Sequence, residues 1–252
     1  MQITGNTMLI TGGGSGIGRA LAEAFHARGN RVVIAGRRAE VLDEVVAANP
    51  GMKALTLDVD DGDAIKAFAE RAVREFPSLN VLLNNAGIMK PEKLTSPPGY
   101  LEDAEKTVAT NLLGPIRLTA ALLPHLLKQP KSAVLNVTSG LAFVPLAVFP
   151  TYCATKAALH SYSMSLRRQL QGTSAEVIEI APPYVQTHLT GEHQANDPRA
   201  MPLDEYIAEV MAILERDPSP AEVIVGRCKP LRFAAEDGKM AETFEALNSQ
   251  AF

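Results

Sequence analysis

Tyr152 and Lys156 stand four residues apart, thirteen residues after Ser139. On a helix that spacing puts both on one face, with Cβ atoms about 5–6 Å apart. A phenol with an ammonium beside it is a candidate proton donor and acceptor. A free tyrosine has a pKa of about 10, and proton transfer near neutrality calls for a lower one. Lowering it by about 2–3 units requires about 3–4 kcal/mol. One cation about 4 Å away, in an effective dielectric of about 20, supplies about 4 kcal/mol. Lys156 is therefore expected to make the phenol acidic, and Ser139 to hydrogen-bond an oxygen on which charge develops.

A second signature opens the chain: Thr11-Gly12-Gly13-Gly14-Ser15-Gly16-Ile17-Gly18. Gly12 ends an apolar run, and Gly16 and Gly18 start a helix-like one. Glycines here permit a tight turn, close approach of backbone to a pyrophosphate, and close helix–strand packing. Free N–H groups at the helix start then face the phosphate charge. Without its context the same run would be an ordinary glycine-rich turn.

These residues need elements to hold them. Thr7–Thr11, Arg31–Ala35, Lys53–Val59, Val81–Asn84, Ala133–Val137, Glu176–Ala181 and Glu222–Val225 read as strands. Most are nearly continuous Val, Leu and Ile, as expected for a parallel sheet covered on both faces. Between them, Gly16–Arg28, Ala39–Ala48, Asp61–Glu75, Tyr100–Lys128 and Thr151–Gln171 read as helices. In the third, Ala64, Phe68, Ala72 and Val73 keep a helical stripe, with Asp61 as cap. A last helix is expected near Gly238–Leu247. The alternation implies a doubly wound sheet with ligand at the carboxyl ends of its strands.

With Asn111 and Asn84-Asn85-Ala86-Gly87 added to these motifs, the chain resembles the short-chain dehydrogenase/reductase family nearly end to end. Its Gly-x-x-x-Gly-x-Gly spacing is similar to that family's loop and differs from the Gly-x-Gly-x-x-Gly of long-chain dehydrogenases. The resemblance implies an α/β, single-domain Rossmann fold over residues 1–252, a doubly wound seven-stranded parallel sheet flanked by helices. A flap around 187–202 and a C-terminal extension 227–252 complete it. Gly5-Asn6-Thr7 before the loop, Gly36-Arg37-Arg38, and Lys229-Pro230-Leu231-Arg232-Phe233-Ala234 resemble the family's DltE-type branch, which hints at bacterial origin.

Carried over position by position, the resemblance implies a nicotinamide dinucleotide. Gly12, Gly14, Ser15, Gly16, Ile17 and Gly18 would surround its pyrophosphate, and Asp58 and Val59 its adenine. Asn85, Ala86 and Gly87 would pack beside it, while Asn84 either does so or serves only the sheet. Pro182-Pro183-Tyr184-Val185-Gln186-Thr187 stands where the family has Pro-Gly-x-Val-x-Thr. That assigns Pro182, Val185 and Thr187 to the cofactor, with Pro183 altering the local backbone. Where relatives specific for NAD carry an acidic residue, this chain has Gly36, followed by Arg37 and Arg38. Two guanidiniums suit a 2′-phosphate, so NADP(H) is expected ahead of NAD(H); the alternative is that both arginines are simply solvated.

The family's chemistry would then have Tyr152 pass a proton to or from a carbonyl or alcohol oxygen, with Ser139 bonded to that oxygen. Lys156 would also reach the nicotinamide ribose, and Asn111 would hold a water linking the lysine to solvent. Met89, Leu141, Phe143, Phe149 and Tyr184 stand where relatives shape the substrate pocket. The expected substrate is a small carbonyl compound or secondary alcohol. A non-catalytic NADP-binding redox sensor is the other reading, and the intact Tyr152 argues against it. The altered C-terminus, with the two long helices retained, suggests a homo-oligomer, a dimer before a tetramer.

Bulk properties set the remaining bounds. The 252 residues are 46% apolar and 21% charged, which suits one soluble α/β domain. A net charge of −4 gives no reason to expect nucleic acid as partner. The apolar stretch Leu118–Leu127 holds Pro124 and His125 and is too short for a bilayer. Cys153 and Cys228 make no disulfide framework, and His188 and His193 no common metal spacing. No basic segment followed by an apolar one opens the chain. The expected location is the cytoplasm, with no membrane and no metal.

Overall fold

The computed structural model describes residues 1–249. The first half alternates β1 (Thr7–Thr11), α1 (Gly16–Ala27), β2 (Arg31–Gly36), α2 (Ala39–Ala48), β3 (Lys53–Thr56), α3 (Gly62–Glu75) and β4 (Leu79–Asn84). The second half runs α4 (Leu101–Val108), α5 (Gly114–Leu126), β5 (Ser132–Val137), α6 (Pro150–Gln169), β6 (Ala175–Ala181), α7 (Glu192–Ala195) and α8 (Leu203–Arg216). It ends with β7 (Glu222–Ile224), α9 (Lys229–Arg232) and α10 (Met240–Asn248).

The seven strands form one sheet in the order β3-β2-β1-β4-β5-β6-β7, every pair parallel. Strand order reverses between β1 and β4, so a crevice opens at their carboxyl ends. One apolar cluster, with Met8, Phe25, Ile34 and Tyr206, fills one face of the sheet; a second, with Leu9, Phe68, Leu82 and Leu122, fills the other. This is the expected doubly wound Rossmann fold. No described helix is long and apolar enough to cross a membrane.

Four elements differ from expectation. β3 stops at Thr56, because its partner β2 ends at Gly36, the residue paired with Thr56. One more bond, from Leu57 N to Gly36 O (2.9 Å), ends the pairing, so Asp58 and Val59 lie in a loop. The expected helix Tyr100–Lys128 is interrupted by a π-helical turn at Ala109–Leu113. In α3 the buried stripe is Ile65, Phe68, Ala69 and Ala72, with Ala64 and Val73 at its margins; Asp61 caps the helix at the N–H groups of Asp63 and Ala64. Finally, α8 was not anticipated, although Tyr206, Ile207, Val210, Met211 and Leu214 repeat at helical spacing and are all buried.

The segment 187–202 is irregular but anchored. Gln194 is buried, and its Nε2 donates to Val185 O (2.8 Å) and Thr187 Oγ1 (3.1 Å). A parallel bridge joins Val185 to Met201. The C-terminal segment packs behind the β5–α6 loop. There Asn248 accepts from Ala147 N (2.6 Å) and donates to Pro145 O (3.1 Å).

Candidate active site

A cleft of about 930 Å³ opens where strand order reverses. Gly12, Gly14, Ser15, Gly16 and Ile17 form one rim. Gly12 has φ +67°, a conformation that favours glycine. Gly18 lies beneath the rim, where a Cβ would come within 2.3 Å of Gly12 O and Asn85 Nδ2. The loop is tied to the turn after β4: Thr11 Oγ1 accepts from Asn85 N (3.0 Å) and Ala86 N (3.1 Å). Helix α1 has no side-chain cap at Ser15 and no acidic residue in its first turn. Its first amides therefore leave an anion-binding end facing the cleft.

The far end of the cleft carries Arg37, Arg38, Asp58 and Val59. Both arginines are exposed, and neither makes an ion pair with a described residue. Asn85, Ala86, Gly87, Pro182, Val185 and Thr187 line the middle. Asn84 faces the interior, where its Nδ2 donates to Asn136 Oδ1 (2.9 Å) and Thr119 Oγ1 (3.1 Å), an architectural role. This set suits an extended ligand with anionic groups at its centre and one end.

Ser139, Tyr152 and Lys156 meet on the opposite wall. Ser139 follows β5, and Tyr152 and Lys156 share one face of α6. The Lys156 Nζ lies 5.6 Å from the Tyr152 ring centroid and donates to Val137 O at 2.8 Å. The expected acidification of the phenol is not found. Burial pushes the Tyr152 pKa up to about 12, opposed by a hydrogen bond with Ser139 and reinforced by Cys153. Burial likewise drives Lys156 down to about 8, with Glu179 opposing. The ammonium lies against the ring and serves a main-chain carbonyl, so desolvation governs both groups. A phenol in this state keeps its proton at neutral pH.

Asn111 sits on the π-helical turn, fully buried and outside the cleft wall. Its Oδ1 accepts from Ile88 N (2.9 Å), and its Nδ2 donates to Ile88 O (2.8 Å) and more loosely to Thr155 Oγ1 (3.4 Å). The side chain thus ties the loop following Gly87 to α6.

Of the residues expected to shape a substrate pocket, Met89 lines the cleft. Leu141 and Met89 pack against a small apolar cluster of Leu146, Phe149, Tyr152 and Cys153, and Leu247 of α10 joins them. Phe143 points elsewhere: its ring meets His160 edge-on at 4.8 Å and carries the Arg232 guanidinium at 4.8 Å. Tyr184 donates to Asp197 Oδ2 at 3.3 Å. His188 lies at the cleft edge, pairing with Glu192 at 3.2 Å.

Two carboxylates escaped the sequence reading. Glu92 is nearly buried and accepts from Thr151 N (3.0 Å) and Thr151 Oγ1 (2.8 Å), capping the first turn of α6 from a distant loop. Glu179 lies in the core behind Lys156. A glutamate between isoleucines within the strand, Ile178-Glu179-Ile180, was the available signal for the second.

The family described as short chain dehydrogenase matches residues 6–198, more than half of the chain. The chain belongs to the short-chain dehydrogenase family. It is 42% identical over 253 residues, 99% of each sequence, to the uncharacterized oxidoreductase DltE of Bacillus subtilis (strain 168). This short-chain dehydrogenase is thus an oxidoreductase of the DltE type. A short-chain dehydrogenase from Streptomyces avermitilis superposes with a TM-score of 0.81 at 28% identity, covering 95% of this chain and 96% of that one. Another, from Burkholderia cenocepacia J2315 in complex with NADP, gives 0.80 at 26% identity, covering 96% and 98%.

Proposed function

We propose that this short-chain dehydrogenase is an NADP(H)-dependent oxidoreductase interconverting a carbonyl and a secondary alcohol, with Tyr152 as general acid and base. The observation that carries the reading is the wall on which Ser139, Tyr152 and Lys156 converge, opposite an uncapped helix start. Gly12 to Ile17 would hold the pyrophosphate, and the exposed Arg37 and Arg38 a 2′-phosphate. The NADP bound by the Burkholderia relative supports that cofactor. When bound, the nicotinamide supplies or takes the hydride.

The chain's own residues move the proton. Tyr152 Oη gives its proton to the carbonyl oxygen as that oxygen gains charge, and takes one from the alcohol in the reverse direction. The Ser139 hydroxyl donates a hydrogen bond to the same oxygen. Lys156 supplies positive charge beside the phenol, favouring its ionised form as the proton leaves. With the Tyr152 pKa at about 12, the resting phenol is an acid with its proton in place. With NADPH as the hydride donor, reduction is the direction expected.

The test is a panel of ketones, aldehydes and hydroxy acids with NADPH and NADH, followed by cofactor absorbance, for the native chain and Tyr152→Phe. Turnover should appear with NADPH and vanish in Tyr152→Phe while NADPH still binds. Full activity in Tyr152→Phe would refute the assignment; tight NADPH binding without turnover on any substrate would favour the redox sensor. Exposed Leu101 on α4, Leu113 on the π-helical turn and Met164 on α6 support a dimer through these helices. Light scattering that gave a monomer or tetramer would oppose it.

A further inference from the structure

β6 carries a carboxylate into the core. Glu179 is 0% exposed, and a charged group is held in such a place only when paired and hydrogen-bonded. Both its oxygens are held. Thr138 Oγ1 donates to Oε1 at 2.6 Å, and His160 Nδ1 lies 2.7 Å from Oε2.

The two partners belong to the elements that build the catalytic wall. Thr138 sits between Val137, whose carbonyl accepts from Lys156, and Ser139. His160 lies one turn beyond Lys156 on α6. One carboxylate therefore spans from the strand end presenting Ser139 to the helix presenting Tyr152 and Lys156.

Other charges face this cluster. α6 contributes Lys156 and His160, β7 contributes Glu222, and the C-terminal segment contributes Cys228 and Arg232, with Glu236 beyond. Arg232 is engaged by Glu222 (2.6 and 3.1 Å) and by Glu236. Burial drives the Cys228 thiol up to about 12, so it carries no charge at neutral pH. Lys156 is left as the positive charge answering Glu179, with His160 Nδ1 held 2.7 Å from the carboxylate.

We propose that Glu179 is a positioning residue for the reaction, clamping the Ser139 strand end to the Tyr152–Lys156 helix and setting a buried negative charge against the Lys156 ammonium. This rests on the reading of Tyr152 as proton donor. Burial lowers the Lys156 pKa to about 8 even with Glu179 opposing, so neutralising Glu179 moves that ionisation further down.

The experiment compares native enzyme, Glu179→Gln and Glu179→Asp. Two readouts are taken across pH: kcat/KM for carbonyl reduction, and NADPH affinity by fluorescence titration. Glutamine keeps the length and a hydrogen-bonding oxygen but removes the charge. Its alkaline limb should move down by about one pH unit in both readouts, with kcat lowered about tenfold. Aspartate keeps the charge but loses the reach, so kcat should fall while the limb stays in place. A Glu179→Gln limb coincident with the native one, or a Glu179→Asp limb displaced as far as that of Glu179→Gln, overturns the proposal. Because NADPH binding needs no turnover, absence of activity on every substrate would defeat the proposed reaction while leaving this inference decided by the binding limb.

Discussion

Glu92 offers the most direct test of how the catalytic helix is held. It comes from the loop after β4 and meets α6 at Thr151, the residue before Tyr152. α6 has no side-chain cap at Phe149 and no acidic residue in its first turn, so Glu92 supplies what the local sequence lacks. Removing a helix cap costs about 0.5–2 kcal/mol, and losing a negative charge at a helix start costs about 0.3–1 kcal/mol more. Near-complete burial of Glu92 puts Glu92→Ala at about 2 kcal/mol, or about 4–8 °C in melting temperature for a domain of this size. The first turn of α6 contains Tyr152, so its loosening should also lower kcat, by about tenfold for a misplacement of a few tenths of an ångström to 1 Å. Urea denaturation and steady-state reduction with NADPH measure both. Glu92→Gln, which retains an acceptor for the Thr151 amide, should fall between. If Glu92→Ala melted with the native chain and reduced substrate at the native rate, the cap would have no part in placing the phenol.

Two further outcomes are expected. Arg37→Asp should lower the ratio of kcat/KM for NADPH over NADH by about tenfold to a hundredfold, the loss of one charged hydrogen bond plus added repulsion; an unchanged ratio in steady-state kinetics would remove Arg37 from the 2′-phosphate. The second concerns pH. Lys156 is charged below its pKa of about 8 and neutral above, while Tyr152 holds its proton to about 12. Carbonyl reduction, which uses both protonated forms, should therefore hold below pH 8 and decline above it in kcat/KM, which reports the unliganded enzyme; a rate rising through that range would contradict the assignment.

The sheet was readable because β1, β4, β5 and β6 are largely apolar runs buried on both faces, a pattern that none of the described helices shares. The cleft was readable for a related reason: glycines, arginines and the Tyr152–Lys156 pair owe their placement to local turns and one helix. What escaped was non-local. Glu92 caps a helix that starts 58 residues away in sequence, and Glu179 joins Thr138 to His160 only after β5, β6 and α6 have packed. The phenol's acidity was misjudged likewise, since a spacing of four residues says nothing about how deeply both groups are desolvated. α8 is another matter, as its stripe was present in the sequence but lay next to a polar segment.

The π-helical turn at Ala109–Leu113 has a phasing consequence. An ordinary helix advances about 100° per residue, so one surplus residue in the turn rotates everything after it by that amount. α4 therefore packs against α6 while α5 packs against α3, and Asn111 is turned inward at the seam between them. Deleting any single residue from this stretch would let the coil close normally and swing one of those two faces into water. The number of residues in this segment, and not only their identity, thus sets which helix faces meet.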